Sequence, residues 1–389
     1  MIRNALPAEE VLKRAHAIGE SYGFVPFATL ARERRDLPRA APGEAAVLPL
    51  LDPTAESISN FLKQCHDTGV IPSMRQPLFV WHTNITAGRP APKTAIVQFH
   101  AIGTDRAIAD AVVIRAMHAL AHDLSKSEPI IRINTLGDKE TRARFARELG
   151  NFFKKRGTTL PEECITCAKR DVFEAALLAI SKECAEDLPS PTDHLSDQSR
   201  KRFEELLDYL ETTDTPYELA PNLLSRGTVW SETCFSILSE GKTLVWGSRY
   251  GDLARAHFKI SMPATGAVLK IETEGASAGG GPASGGKVSP VKGPARLRFA
   301  FVHIGEEAKR ESIKLAGELR RARLPLWQII GLESLTEQML FVEKMDPPYL
   351  LIMGRKEALE HSATLRNRAT QEEIAIPLSE LTARLKAFA

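Results

Sequence analysis

Gln98-Phe99-His100-Ala101-Ile102-Gly103, with Asp105 and Ala109-Asp110-Ala111 close behind, is the stretch on which the fold turns. Residues 95–102 favour a strand and stop at Gly103, whereas apolar positions from Ala109 to Leu124 recur with helical period. Upstream, residues 78–83 read as a second strand. Between the two strands, Asn84-Ile85-Thr86-Ala87-Gly88-Arg89-Pro90 supplies the glycine and proline of a connecting loop. The prediction is a β-hairpin whose second strand leads directly into a helix.

The same alternation continues on both sides. Residues 8–22 read as a helix, Phe24 to Leu30 as a strand, Ala46 to Leu51 as the next strand, and a helix begins near Ile58 and ends before Gly69. Residues 130–133 form a strand and 142–153 a helix, and from Pro161 to Glu211 the pattern is helical, with Phe203, Leu206, Leu207 and Leu210 on one stripe. Strand signals return at residues 228–238, 243–247 and 266–271. This order predicts an α/β (α+β) core, a mixed sheet flanked by helices. Residues 275–294 are rich in Gly, Ser, Ala and Pro and read as a flexible linker. Beyond them, strands at 297–304, 327–330 and 349–353 alternate with helices at 306–323 and 335–345, which predicts a separate small α/β domain. The expected division is a core over residues 1–274, the linker over 275–294 and the small domain over 295–389.

With 389 residues, of which 43% are hydrophobic, the chain has enough apolar material for two or three packed units. Its 51 basic and 49 acidic residues leave a net charge of +2, which excludes a strongly basic coat and permits a local patch. No apolar run approaches the roughly 18 residues of a membrane span. Glu9-Glu10 stands where a signal peptide would need basic and apolar residues, so a cytoplasmic location and no membrane partner are expected. Five scattered cysteines fit a reducing compartment. Cys164-Ile165-Thr166-Cys167 has the spacing of half a zinc site, but no second pair lies at a matching spacing, and no metal is expected.

Several segments, in order along most of the chain, resemble histidyl-tRNA synthetases. They are the 98–111 stretch, Ile133-Asn134-Thr135-Leu136-Gly137-Asp138 with Arg142 and Phe145, Leu224-Ser225-Arg226-Gly227, and Gly247-Ser248-Arg249-Tyr250-Gly251-Asp252. After the linker, Leu315-Ala316-Gly317-Glu318-Leu319-Arg320, Ser334-Leu335-Thr336-Glu337-Gln338 and Ile376-Pro377-Leu378 look like the family's anticodon-binding domain. The resemblance implies a class II synthetase-like core on an antiparallel sheet, a C-terminal α/β anticodon-binding-like domain and a homodimer.

It also implies where chemistry should sit, and there the sequence departs from the pattern. Adenylation needs arginines on the ATP phosphates, because the planar guanidinium pairs bidentately with phosphate oxygens. The family's motif 2 arginine is Thr86 here and its motif 3 arginine is Thr273, while a motif 3 glycine has become Lys270. Removing one such donor typically costs about 10²- to 10³-fold in rate. No catalytic residue is assigned, and ATP and Mg²⁺ are expected only if ligase activity survives.

The amino-acid pocket keeps more. Asp52 and Thr54 stand where the family holds the substrate's α-amino group, and Asp105 matches a second acid. Asp52 before a proline is equally an ordinary helix-start residue. Arg226, Arg249 and Tyr250 survive from the histidine-specific motifs, whereas Trp230 replaces a tyrosine and reads as core filling. Arg320, Arg321 and Arg323 are tRNA-binding candidates, set against the bland reading that basic residues merely favour a helix C-terminus. Three functions follow from the resemblance. The first is a catalytically impaired relative that binds tRNA or a protein partner, with amino-acid sensing a further role for it. The second is an active ligase with altered motifs. The third is a histidine sensor like the regulatory subunit of ATP phosphoribosyltransferase, which the small C-terminal domain counts against.

Overall fold

The computed structural model describes residues 3–33, 52–86, 93–157, 159–225, 229–274, 298–322, 324, 326–329 and 331–388. The expected strand at 46–51 and the linker at 275–294 lie outside the described residues. The first part of the chain runs β1 (Arg3–Pro7), α1 (Ala8–Ser21), β2 (Val25–Pro26), α2 (Phe27–Glu33), α3 (Pro53–Asp67), β3 (Leu78–Thr86), β4 (Lys93–Ile102), α4 (Ala107–Leu124), β5 (Ile130–Thr135) and α5 (Lys139–Lys155). It continues with α6 (Glu162–Ala168), α7 (Val172–Ser181), a 3-10 turn (Pro191–His194), α8 (Asp197–Thr212), β6 (Glu218–Leu219), β7 (Ser231–Ser239), β8 (Lys242–Arg249), α9 (Gly251–Phe258) and β9 (Ala264–Glu274).

The hairpin reading holds: β3 and β4 pair antiparallel from Leu78↔Ile102 to Thr86↔Thr94, and α4 starts five residues after β4 ends. One expectation needs correction. The run Phe24 to Leu30 is a strand only over Val25–Pro26 and turns helical from Phe27, because Ala28, Leu30, Ala31, Arg32 and Glu33 are good helix formers. The helix expected near Ile58 starts at Pro53, since Asp52 caps it and proline suits the first helical position.

These strands form one nine-stranded sheet in the order β2-β3-β4-β9-β8-β7-β5-β6, with β1 parallel to the end of β9. Only the short edge strands and β1 pair in parallel; the central six strands are antiparallel. On one face, α1, α4 and α8 cover a core that includes Phe24, Val97, Phe99, Leu206 and Val245. Residues Ala107 to Met117 of α4 are all buried, which explains why this helix is apolar on every side. The other face is covered by α3, α5, α7 and α9, around Phe61, Phe145, Trp230 and Tyr250.

The second part comprises β10 (Phe299–His303), α10 (Glu306–Arg321), β11 (Leu326–Gln328), α11 (Leu335–Met345), β12 (Tyr349–Met353), α12 (Arg355–Leu359), β13 (Ser362–Asn367), β14 (Glu373–Pro377) and α13 (Leu378–Lys386). Its sheet, β11-β10-β12-β13-β14, is parallel at one end and antiparallel at the other. This domain rests on α4 and α8 of the core. Lys309 lies nearly buried between Glu306, Glu333 and the core residue Glu205, with its Nζ 3.5, 3.7 and 3.9 Å from their carboxylates, and over the Tyr209 ring. Arg106 pairs with Glu333 at 2.7 Å and Arg310 with Asp208 at 2.5 Å.

Candidate functional site

Of the residues expected to hold an amino acid, Asp52 and Thr54 stand at the start of α3, where Lys270 of β9 and Trp230 reach them. Asp52 is the N-cap of α3: one oxygen accepts hydrogen bonds from the amides of Thr54 and Ala55, both at 2.8 Å. Its other oxygen accepts from the Trp230 indole N–H at 3.0 Å. Lys270 Nζ donates to the carbonyl of Pro53 at 2.9 Å. Burial lowers the Lys270 pKa, while Asp52 and Glu56 favour its charged form. Thr54 contributes its backbone amide to the cap. The protein's own ammonium is therefore held on the carbonyl next to the carboxylate that the resemblance reserves for a substrate amine, within its electrostatic reach.

Arg249 and Tyr250 are occupied elsewhere, Arg249 by α4 and Tyr250 by His100 of β4. The Arg249 guanidinium is buried, with its Nε 2.8 Å and its second nitrogen 2.7 Å from Asp110 Oδ2, and it also donates to the carbonyl of Arg106 at 2.7 Å. Tyr250 is fully buried and its hydroxyl lies 2.7 Å from His100 Nδ1. The His100 ring stacks on Phe61 at 4.2 Å, and its Nε2 lies 3.2 Å from Gln98. Burial, and secondarily the neighbouring His82, hold His100 neutral; burial likewise raises the Tyr250 hydroxyl. A Cβ at Gly266 would fall on His100 Nδ1 and 2.8 Å from the Phe99 carbonyl, so the rings leave no room there.

Asp105 is not part of this group. It is half exposed and faces Arg202 at 3.6 Å, whereas Asp52 is bound to Trp230, so the two acids share no partner among the described residues. Arg202 leads to a set that sequence reasoning missed. Its Nε lies 4.0 Å from Glu232, Ser199 donates to Glu232 at 3.1 Å, and Ser196 donates to Asp138 at 2.7 Å. Glu232 sits at a bulge in β7 with φ +50°, which turns its side chain inward, and burial raises its pKa. A period-two reading of the strand gives no sign of such a bulge.

Thr273 is buried on β9, opposite Lys93 in the register with β4. Thr86 ends β3; its side chain, Arg226, the side chain of Arg320, and Arg323 lie outside the described residues. Arg321 is exposed at the end of α10. Trp230 does fill core, as expected, and it also holds Asp52. Among the described residues no group of three metal-ligating side chains is placed to hold an ion. Cys164 lies beside Cys184, and both thiols are free.

The described residues thus form an antiparallel sheet covered by helices, followed by a small domain with a mixed sheet. Residues 298–388 match the family described as "Anticodon binding domain". The chain is 28% identical over 302 residues to the histidine–tRNA ligase of Geobacillus sp. (strain WCH70), covering 75% of this chain and 70% of that protein. It is 29% identical over 303 residues to that of Geobacillus thermodenitrificans, covering 74% and 69%. The apo histidyl-tRNA synthetase of S. aureus aligns over 98% of this chain and 97% of its own, with a TM-score of 0.48 and 17% identity. Over about three quarters of its length the chain is thus similar to histidine–tRNA ligases, and its C-terminal residues match the anticodon-binding family.

Proposed function

We propose that this chain is a synthetase-like protein that binds tRNA without activating an amino acid. Residues 1–274 serve as a scaffold, 275–294 as a connector and 295–389 as the RNA-facing unit. The observation that carries the reading is at the start of α3, where Lys270 is held on the Pro53 carbonyl near the capped Asp52; Thr273, where the resemblance expects a phosphate-binding arginine, supports it. The anticodon-binding domain match supports the RNA side of the proposal. In this reading the protein is a cytoplasmic homodimer, and a protein partner takes the place of tRNA if RNA binding is absent.

The names of the relatives favour a second reading, an active histidine–tRNA ligase with altered motifs. Histidine-dependent ATP–pyrophosphate exchange separates the two. We expect no exchange above the enzyme-free level, and clear exchange would replace the first reading with the second. Binding to a tRNA pool should be measured alongside: a complex that weakens steeply between about 50 and about 200 mM salt is expected, because each phosphate contact releases counterions.

A further inference from the structure

Gly23 and Phe79 of the core face Trp327 and Phe341 of the C-terminal domain across a cavity of about 520 Å³. Its volume lies within the range of small-molecule sites, which form preferentially at domain interfaces. The walls are mainly apolar. Leu30, Val70 and Phe79 form one side, and Trp327, Leu332 and Phe341 the other, with Trp327 and Phe341 edge to face at 6.3 Å. At the rim, Ile71 in the loop after α3 and Leu340 on α11 are 44% and 61% exposed, so apolar surface continues out of the cavity.

Two charges stand among this apolar lining. Arg75 comes from the core side and Glu337, in the first turn of α11, from the other. Neither has an ion-pair partner among the described residues, unlike most charged residues along the rest of this seam, where Lys309, Arg106 and Arg310 are all paired. A single-charge ligand would leave one of them facing a like charge or nothing. A ligand with an apolar body and both a carboxylate and an ammonium satisfies both.

We propose that this seam is a binding site for a zwitterionic ligand with large apolar side chains, of the size of a short peptide, whose carboxylate pairs with Arg75 and whose ammonium pairs with Glu337. The site is separate from the region around Asp52 and does not depend on the tRNA reading. Because both domains supply lining residues, occupancy stabilises the seated arrangement of the C-terminal domain.

The probe is the dipeptide Phe-Leu, which contains no tryptophan, titrated into the full chain while indole fluorescence is followed. A saturable change that disappears in Trp327→Phe is expected. N-acetylated and C-amidated Phe-Leu should each bind at least about fivefold more weakly, since each loses one charge-assisted hydrogen bond. In Arg75→Gln the amide should bind as well as the free dipeptide, and in Glu337→Gln the acetylated form should; both positions lie at the cavity mouth, so the variants should fold. The proposal is overturned if no saturable change is seen, if the change persists in Trp327→Phe, or if the capped dipeptides bind as tightly as the free one.

Discussion

Asp52 commits one carboxylate oxygen to the first amides of α3 and the other to an indole, and Arg249 commits its guanidinium to Asp110. Both are residues whose type suggests a ligand and whose geometry serves the fold. Asp52→Ala should lower stability by about 1–2 kcal/mol, the cost of a lost cap and one side-chain hydrogen bond, read from the urea midpoint. Arg249→Met should cost more, about 3–5 kcal/mol, because it strands a buried carboxylate. Adding Asp110→Leu to that variant should recover a large part of the loss; a double variant no more stable than the single one would mean the pair is not the source. At this scale the sequence was partly legible. The alternative reading of Asp52 as a helix-start residue was visible from Pro53, and the departures at 270 and 273 were visible as substitutions. That Lys270 reaches back to Pro53 was not, because 217 residues separate the two groups and only the finished sheet joins them.

At the level of elements, the hairpin and α4 were legible because period-two and period-3.6 patterns meet at Gly103. The sequence misled at Phe24 to Leu30, where a short apolar run satisfies either pattern and local helix propensity decided. Bulges were also hidden: the αL conformation of Glu232 inverts the side-chain alternation of β7 and creates the Arg202–Glu232–Ser199 set. The strands β4 and β9 pack closely enough to test directly. Gly266→Ala would push a methyl group into His100 and toward the Phe99 carbonyl, so a loss of about 1–3 kcal/mol is expected from overpacking. A variant as stable as the parent in thermal melts would show that the His100 ring can move aside.

For the whole molecule, histidines kept from water contribute to the acid limb of stability. Burial lowers both His82 and His303 from 6.5 to about 4, so the folded protein keeps them neutral while the unfolded chain protonates them. Their contribution is complete above about pH 6.5 and is lost as pH falls toward about 4, at up to about 1.4 kcal/mol per pH unit for each. His303→Asn should flatten urea midpoints across that window; an unchanged slope would assign it to other groups. The seam between the domains is tested by Lys309→Met, which leaves Glu205, Glu306 and Glu333 without their shared cation. Calorimetry is expected to resolve two transitions in this variant and one in the parent; a single transition in the variant would show that the Arg106 and Arg310 pairs suffice to couple the domains.

The pairing of β9 with both β4 and β1 has a consequence for synthesis on the ribosome. Arg3 and Thr94 both find their partner at Glu272, so the inner edge of β4 stays open until the last strand of the sheet has been made. At typical translation rates that interval is roughly ten to thirty seconds, with a long apolar hairpin edge unpaired throughout. Nascent chains that stop short of residue 264 therefore expose β4 permanently, and chaperone binding and aggregation should concentrate in those fragments rather than in chains lacking only the C-terminal domain.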